Sequence, residues 1–189
     1  MIRAALVALA LVAASPAAAQ TFPTRYDAQI RSAAARWWPP GLDWVWWRAQ
    51  LWQESRLRPD AVSPVGAAGL AQFMPGTWSD VARQLRLPPG ASPHQDIAIE
   101  AGAFYMAQLM RGWTTPRPEV RRLELAQASY NAGMGNITRA QRACGGARDW
   151  PDISPCLPTV TGRHARETID YVRLIAEHRR RMILLGATP

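Results

Sequence analysis

Residues 43 to 77 read DWVWWRAQLWQESRLRPDAVSPVGAAGLAQFMPGT, and the change of pattern within this stretch decides the fold class. Trp44, Trp47, Leu51 and Trp52 recur at the spacing of one helix face, so a helix capped by Asp43 and running to about Ser55 is predicted, with this stripe inward. A tryptophan stripe at helical spacing belongs to a core more often than to a sugar-stacking platform; Trp46, off the stripe, is the better surface candidate. Glu54 falls in the last turn. Immediately beyond it, Pro59, Ser63, Pro64 and Gly66 mark a loop over 57 to 67, with a short helix from Gly69 to Met74 expected to follow. A carboxyl at such a core edge is partly desolvated, which raises its pKa and keeps it protonated near neutral pH, as a general acid requires. On these residues alone the competing reading is a helix-end glutamate paired with Arg56 or Arg58.

Outward from this stretch the apolar spacing stays helical, and no segment holds a period of two, so a mainly α domain is expected. Toward the N-terminus, residues 25 to 38 form an amphipathic helix (Tyr26, Ile30, Ala33, Ala34, Trp37) that ends before Pro39-Pro40-Gly41. Toward the C-terminus, Thr77 with Asp80 resembles a capping box for a helix ending before Pro88-Pro89-Gly90. Further helices are expected over 96 to 111, with Ile97, Ala101, Phe104 and Leu109 inward, and over 119 to 131, stopped at Gly133. Another covers 136 to 143, and the last runs from 164 to 185 with Ile169, Val172, Ile175 and Ile183 buried. Nothing repeats internally and no linker divides the chain.

The 189 residues suit one core. Residues 1 to 20, MIRAALVALALVAASPAAAQ, have the layout of a secretory leader: Arg3, an apolar run to Ala14, Ser15-Pro16, then three small residues, with cleavage favoured after Ala19. The mature fold would start near Gln20 or Thr21. The alternative, an uncleaved anchor, fares badly because the apolar run of about 11 residues is well short of the roughly 20 that span a bilayer. No Cys follows the small residues to accept a lipid.

The formal net charge is +8, and every basic residue is Arg. A basic exported protein suits an anionic polymer such as the cell wall; nucleic acid is disfavoured because no nucleic-acid motif accompanies the charge. Cys144 and Cys156 flank a Gly- and Pro-rich stretch and would pair in an oxidising compartment; two free thiols are the alternative. His94, His164 and His178 lack ligand-like spacing, so no metal and no cofactor are expected.

The stretch from Glu54 through Thr77 resembles the first motif of the soluble lytic transglycosylase family, glycine spacing included. Ala128-Ser129-Tyr130-Asn131-Ala132-Gly133 resembles the second, and Glu167-Thr168 followed by Tyr171-Val172 the third, in the family's order. With the segment from Ile97 to Leu109 as the intervening helix, the likeness spans about residues 43 to 176. It implies a single lysozyme-like α-helical domain with a saccharide-binding groove, divided as residues 1–19 leader, 20–42 N-terminal helical extension and 43–185 catalytic domain. The implied substrate is the peptidoglycan glycan strand, cleaved at the MurNAc-GlcNAc β-1,4 bond with a 1,6-anhydro-MurNAc end formed.

Within that resemblance Glu54 takes the place of the family's single catalytic glutamate, acid first and base second. Ser63, Gln72 and Met74 resemble groove-lining residues, Tyr130 the tyrosine whose hydroxyl orients the glutamate, and Glu167 a glutamate across the groove; Asn131 joins the substrate-binding set. Each has a structural counterpart: Ser63 as a turn cap before Pro64, Gln72 and Met74 as ordinary helix positions, Tyr130 as a buried helix-end aromatic, Asn131 as a helix terminator, Glu167 as a favourable charge in a first turn. Leu57, Ala71 and Ser129 depart from residues common in the family and touch groove shape more than chemistry. A periplasmic or secreted monomer is implied, with secretion-system or cell-envelope proteins as candidate partners. Two other readings stay open: a lysozyme-type hydrolase using Asp60, Asp80 or Asp96 as base, and a non-catalytic wall-binding component of a secretion system or phage.

Overall fold

The computed structural model describes residues 21–189, so the leader reading of residues 1 to 19 lies outside it. Helices α1 (Asp27–Trp37), α2 (Val45–Ser55), α3 (Pro75–Leu85), α4 (Ile97–Gly112), α5 (Glu119–Ala132) and α6 (Met134–Ala143) follow one another, then the short α7 (Trp150–Ile153) and α8 (Pro158–Thr161), and the long α9 (Ala165–Leu184). The expected mainly α class is what the structure has. Among the described residues the only β pairing is a pair of isolated bridges, Val62 with Ala68 and Ala68 with Phe73.

α2 forms the axis of the core, lying along α9, while α1 lies along α4 and α5 packs against α4, α6 and α9. The tryptophan stripe is core as expected: Trp44, Trp47 and Trp52 are 6%, 0% and 8% exposed. A buried indole N–H needs an acceptor. Trp47 Nε1 donates to Ile99 O and Trp38 Nε1 to Ala103 O, each at 3.1 Å, which ties the start of the chain to α4. Trp46 is half-buried, with the Arg179 guanidinium 4.6 Å from its ring centre. Gly102 lets Trp47 approach: a Cβ there would stand 2.6 Å from Trp47 Cζ2.

The ends of α2 explain its position. Asp43 Oδ1 accepts from Val45 N at 3.0 Å, and both its oxygens meet Arg179 of α9, the closer contact being 2.5 Å. At the other end Arg56 caps the helix in the left-handed region and Leu57 follows it there, with φ of 57° and 58°. Two such residues in succession are uncommon outside glycine and cost about 1 kcal/mol each. Burial of Leu57, 2% exposed, offsets this and turns the chain away directly behind Glu54. Ser55 Oγ then donates to Leu70 O at 2.8 Å, fastening the following loop to the helix end.

Four local expectations are corrected. Gly69 to Met74 is a turn closed by the Ala68–Phe73 bridge rather than a helix, because Gly69 (φ +76°) and Gln72 (φ 47°) are left-handed. A Cβ on Gly69 would lie 1.7 Å from Pro93 O, so only glycine fits there. Thr77 does not cap α3, which begins two residues earlier, at Pro75, the position where a missing N–H does no harm. The Gly- and Pro-rich segment after Cys144, for which no helix is expected, holds α7, a 3₁₀ turn (Ser154–Cys156) and α8, and on the last helix Met182 takes the core position expected of Ile183. Cys144 and Cys156 are joined in a disulfide.

Candidate active site

Glu54 leaves the end of α2 into a cavity of about 330 Å³ lined also by Gln53 of the same helix, Asn131 of α5, and Glu167, Asp170, Tyr171 and Leu174 of α9. The arrangement follows from helix geometry. Glu167, Tyr171 and Leu174 follow one another at spacings of four and three residues and so share one face of α9, with Asp170 beside Tyr171, and α9 lies along α2 from Glu54 back to Asp43. Asn131 comes from the last turn of α5, where Gly133 (φ +82°) ends the helix and turns the chain away.

The carboxyl of Glu54 makes no ion pair among the described residues. Arg56 instead lies over the Trp52 ring at 5.2 Å, and Arg58 Nε donates to Ser55 O, so neither neutralises it. Its hydrogen-bond donor is the Tyr171 hydroxyl, on Oε1. Burial pushes the Glu54 pKa from the ordinary 4.5 up to about 8; the Tyr171 hydrogen bond pulls the other way by stabilising the anion, and the nearby Glu167 charge adds a further upward push. At neutral pH the group is therefore a protonated carboxylic acid facing a cavity. The Tyr171 and Tyr130 hydroxyls are pushed well above the usual phenol range by burial and by the Glu54 carboxyl near them, so both stay neutral donors.

Of the residues singled out from the sequence, the structure gathers Glu54, Asn131 and Glu167 around this cavity. Asn131 Nδ2 donates to Glu167 Oε1 at 3.4 Å and its Oδ1 accepts from Thr168 Oγ1 at 2.7 Å, so Asn131 ties α5 to α9. A second cavity, of about 420 Å³, opens beyond Asn131 and Glu167 and is closed by Asn136, Val160, Thr161 and His164. Ser63, Gln72, Met74 and Tyr130 do not line the Glu54 cavity. Ser63 Oγ accepts from Ala67 N at 2.9 Å within its own turn, and Gln72 Nε2 donates to Ala61 O and Gly69 O at 3.1 and 2.9 Å, holding the same lobe together. Met74 is 45% exposed at the end of that lobe. The Tyr130 hydroxyl donates to Ala71 O at 2.6 Å rather than to Glu54.

The residue that the sequence reading passed over is Tyr171. It was visible only as part of the third motif, at the fourth position after Glu167, where an apolar periodicity counts it as core. Asp60, Asp80 and Asp96, the bases a hydrolase would need, do not line the Glu54 cavity, and Asp80 pairs with Arg83 at 2.6 Å. Among the described residues no three His, Cys, Asp or Glu side chains converge as a metal site would require.

Comparison with known proteins gives a consistent family. The transglycosylase SLT domain model matches residues 34–153. The membrane-bound lytic murein transglycosylase F of Pasteurella multocida (strain Pm70) is 31% identical over 134 residues, covering 69% of this chain and 26% of that protein. Its counterpart in Shewanella pealeana (strain ATCC 700345 / ANG-SQ1) is 32% identical over 135 residues, covering 69% and 27%. The chain thus spans about a quarter of the length of these relatives. Among solved structures, an inactive Glu-to-Gln mutant of lytic transglycosylase Slt from Pseudomonas aeruginosa superimposes with a TM-score of 0.69 at 27% identity, over 89% of this chain and 25% of that one. The lysozyme-like helical architecture expected from the motifs is the one these structures share.

Proposed function

The chain belongs to the transglycosylase SLT domain family, and from that membership we propose that it is a peptidoglycan lytic transglycosylase with Glu54 as its acid and base. One observation carries the reading: a carboxyl with a pKa near 8, open to a cavity and without a cationic partner among the described residues, holds a proton that it can give away at neutral pH. Glu54 delivers that proton to the glycosidic oxygen between N-acetylmuramic acid and N-acetylglucosamine as the C–O bond breaks and positive charge grows at the anomeric carbon. With help from the sugar's N-acetyl group, the muramic-acid 6-hydroxyl then attacks that carbon. Its proton returns to Glu54, leaving a 1,6-anhydro end with no net use of water. The Tyr171 hydroxyl, donating to Oε1, stabilises the carboxylate formed between the two transfers.

Asn131 and Glu167, on the cavity wall, are proposed to hold the sugar's polar groups; Ser63, Gln72, Met74 and Tyr130 are proposed as contacts along the neighbouring lobe. Residues 43–185 are proposed as the catalytic unit and 20–42 as an extension bracing it. Export to the periplasm or outside the cell is proposed from the leader pattern, and the Cys144–Cys156 disulfide supports an oxidising compartment.

Glu167 and Asp170 favour a second reading, hydrolysis, because each is a carboxylate on the same cavity that could activate a water. Asp170 is already bound to Arg166 and Arg173, which leaves Glu167 as the candidate base. The test is mass analysis of the muropeptides released from purified sacculi. Anhydromuramoyl ends are expected; reducing ends in their place would give the reaction to water and Glu167.

A further inference from the structure

Gln53 precedes Glu54 on α2 and borders the same cavity. Its side chain is held from α9, where His178 Nε2 meets Gln53 Oε1 at 3.0 Å. His178 is buried one turn beyond Leu174, a residue of the cavity wall, and the Phe22 ring lies edge-on against it with ring centres 6.4 Å apart. A neutral imidazole carries one N–H, and its partners decide where. Burial and the Arg56 guanidinium, 3.5 Å from Nε2, lower the His178 pKa to about 4, so the ring is neutral at physiological pH. Nδ1 is buried without a partner among the described residues. A proton there would be an orphaned donor, whereas on Nε2 it bonds Gln53 Oε1. With Oε1 engaged in this way, Gln53 Nε2 is left accessible and with no acceptor among the described residues.

We infer that Gln53 is a substrate contact beside Glu54, its amide N–H donating to an uncharged acceptor oxygen of the glycan strand, and that His178 is the positioning residue that turns the amide that way. Asn131, the other amide on the cavity, already spans Glu167 and Thr168, so Gln53 supplies the amide donor that the protein itself does not use. A hydroxyl or acetamido oxygen of the sugar suits this donor better than a carboxylate of the peptide stem, because Glu167 and Asp170 share the cavity and repel an anion. The imidazole adds orientation: without its N–H on Oε1, the amide can rotate and present its oxygen in place of its donors.

This inference rests on the glycan strand being the substrate, and the experiment separates the two. Binding of glycan strands, with their peptides and after an amidase has removed them, is measured by calorimetry in the Glu54→Gln background, with Tm beside each variant. Gln53→Leu is expected to weaken Kd about fivefold on both kinds of strand, equivalent to ~1 kcal/mol. His178→Leu should do the same, and the two changes together no more than either alone. His178→Gln, whose amide can donate from the place of Nε2, should restore binding; Gln53→Met and His178→Met replace the leucine variants if those do not fold. In the active enzyme the same changes should raise KM rather than lower kcat. Undiminished binding by Gln53→Leu, or a loss confined to strands that keep their peptides, would overturn the glycan contact. Equal losses from His178→Leu with and without Gln53, no repair by His178→Gln, or losses that follow Tm would overturn the positioning role. Undiminished turnover in Glu54→Gln would remove the acid, a failure read from activity and not from these ratios, and strands that do not bind the Glu54→Gln parent at all would refute substrate and contact together.

Discussion

Replacing Glu54 by Gln should abolish lysis and at the same time make the folded protein more resistant to alkaline pH. Burial raises the Glu54 pKa from 4.5 to about 8, so between these values the unfolded chain gives up the proton and the folded protein keeps it. The folded state then binds more protons than the unfolded one, and stability falls as pH rises through this window. At roughly 1.4 kcal/mol per pH unit the penalty reaches ~3 kcal/mol by pH 7 and somewhat more by pH 8. Gln keeps the shape and the acceptor for Tyr171 but does not ionise. For a chain of this size each kcal/mol moves Tm by about 2 to 4 °C, so Glu54→Gln is expected to gain about 5 °C or more at pH 8. It should gain nothing at pH 4, where both states of the wild type hold the proton. Thermal denaturation by circular dichroism from pH 4 to 9, with turbidity loss of sacculi as the activity assay, measures both effects. A Tm difference that does not change with pH would refute the buried, protonated carboxyl and with it the acid assigned to the first step.

The opposite dependence is expected of His178. Burial, reinforced by the charge of Arg56, lowers its pKa from 6.5 to about 4. Its contribution is complete above pH 6.5 and is lost as pH falls toward 4, amounting to roughly 2 kcal/mol by pH 5. Urea unfolding at pH 7 and pH 5 in the Glu54→Gln background should show this loss, and adding His178→Gln should remove it; an unchanged acid slope would place the titration elsewhere. The Cys144→Ser/Cys156→Ser variant should lose about 3 kcal/mol, since the disulfide closes a loop with a sequence separation of 12. A thiol reductant should bring the wild type to the same Tm, and no shift in either case would mean the bond contributes nothing to stability.

How much of this was legible beforehand can be read from particular residues. The helix bearing Trp44, Trp47 and Leu51, its start at Asp43 and the stop at Gly133 follow from periodicity and punctuation, which are local properties of the chain. The turn at Gly69 to Met74 was misread as a helix because its apolar pattern fits one. What prevents helix there is the left-handed backbone at Gly69 and Gln72, and the press of Gly69 against Pro93 O arises only once the two loops meet. Glu54 was found through its motif, but its donor was assigned to Tyr130. Tyr130 lies near Glu54 and gives its hydroxyl proton to Ala71 O, while Tyr171, 117 residues along the chain from Glu54, supplies the bond.

The amino-acid sequence alone therefore determined the helical class, the order of the main helices and which carboxyl is proposed as the acid, since spacing, caps and motif residues act over a few positions of chain. Only the tertiary structure decided that this carboxyl is buried with a raised pKa rather than a salt-bridge partner of Arg56 or Arg58. Its proton is held by exclusion of water and by the nearby Glu167 charge, against the opposing pull of the Tyr171 hydroxyl from α9 and with no cationic partner among the described residues, and each of these is set by distance through space, which spacing along the chain does not record.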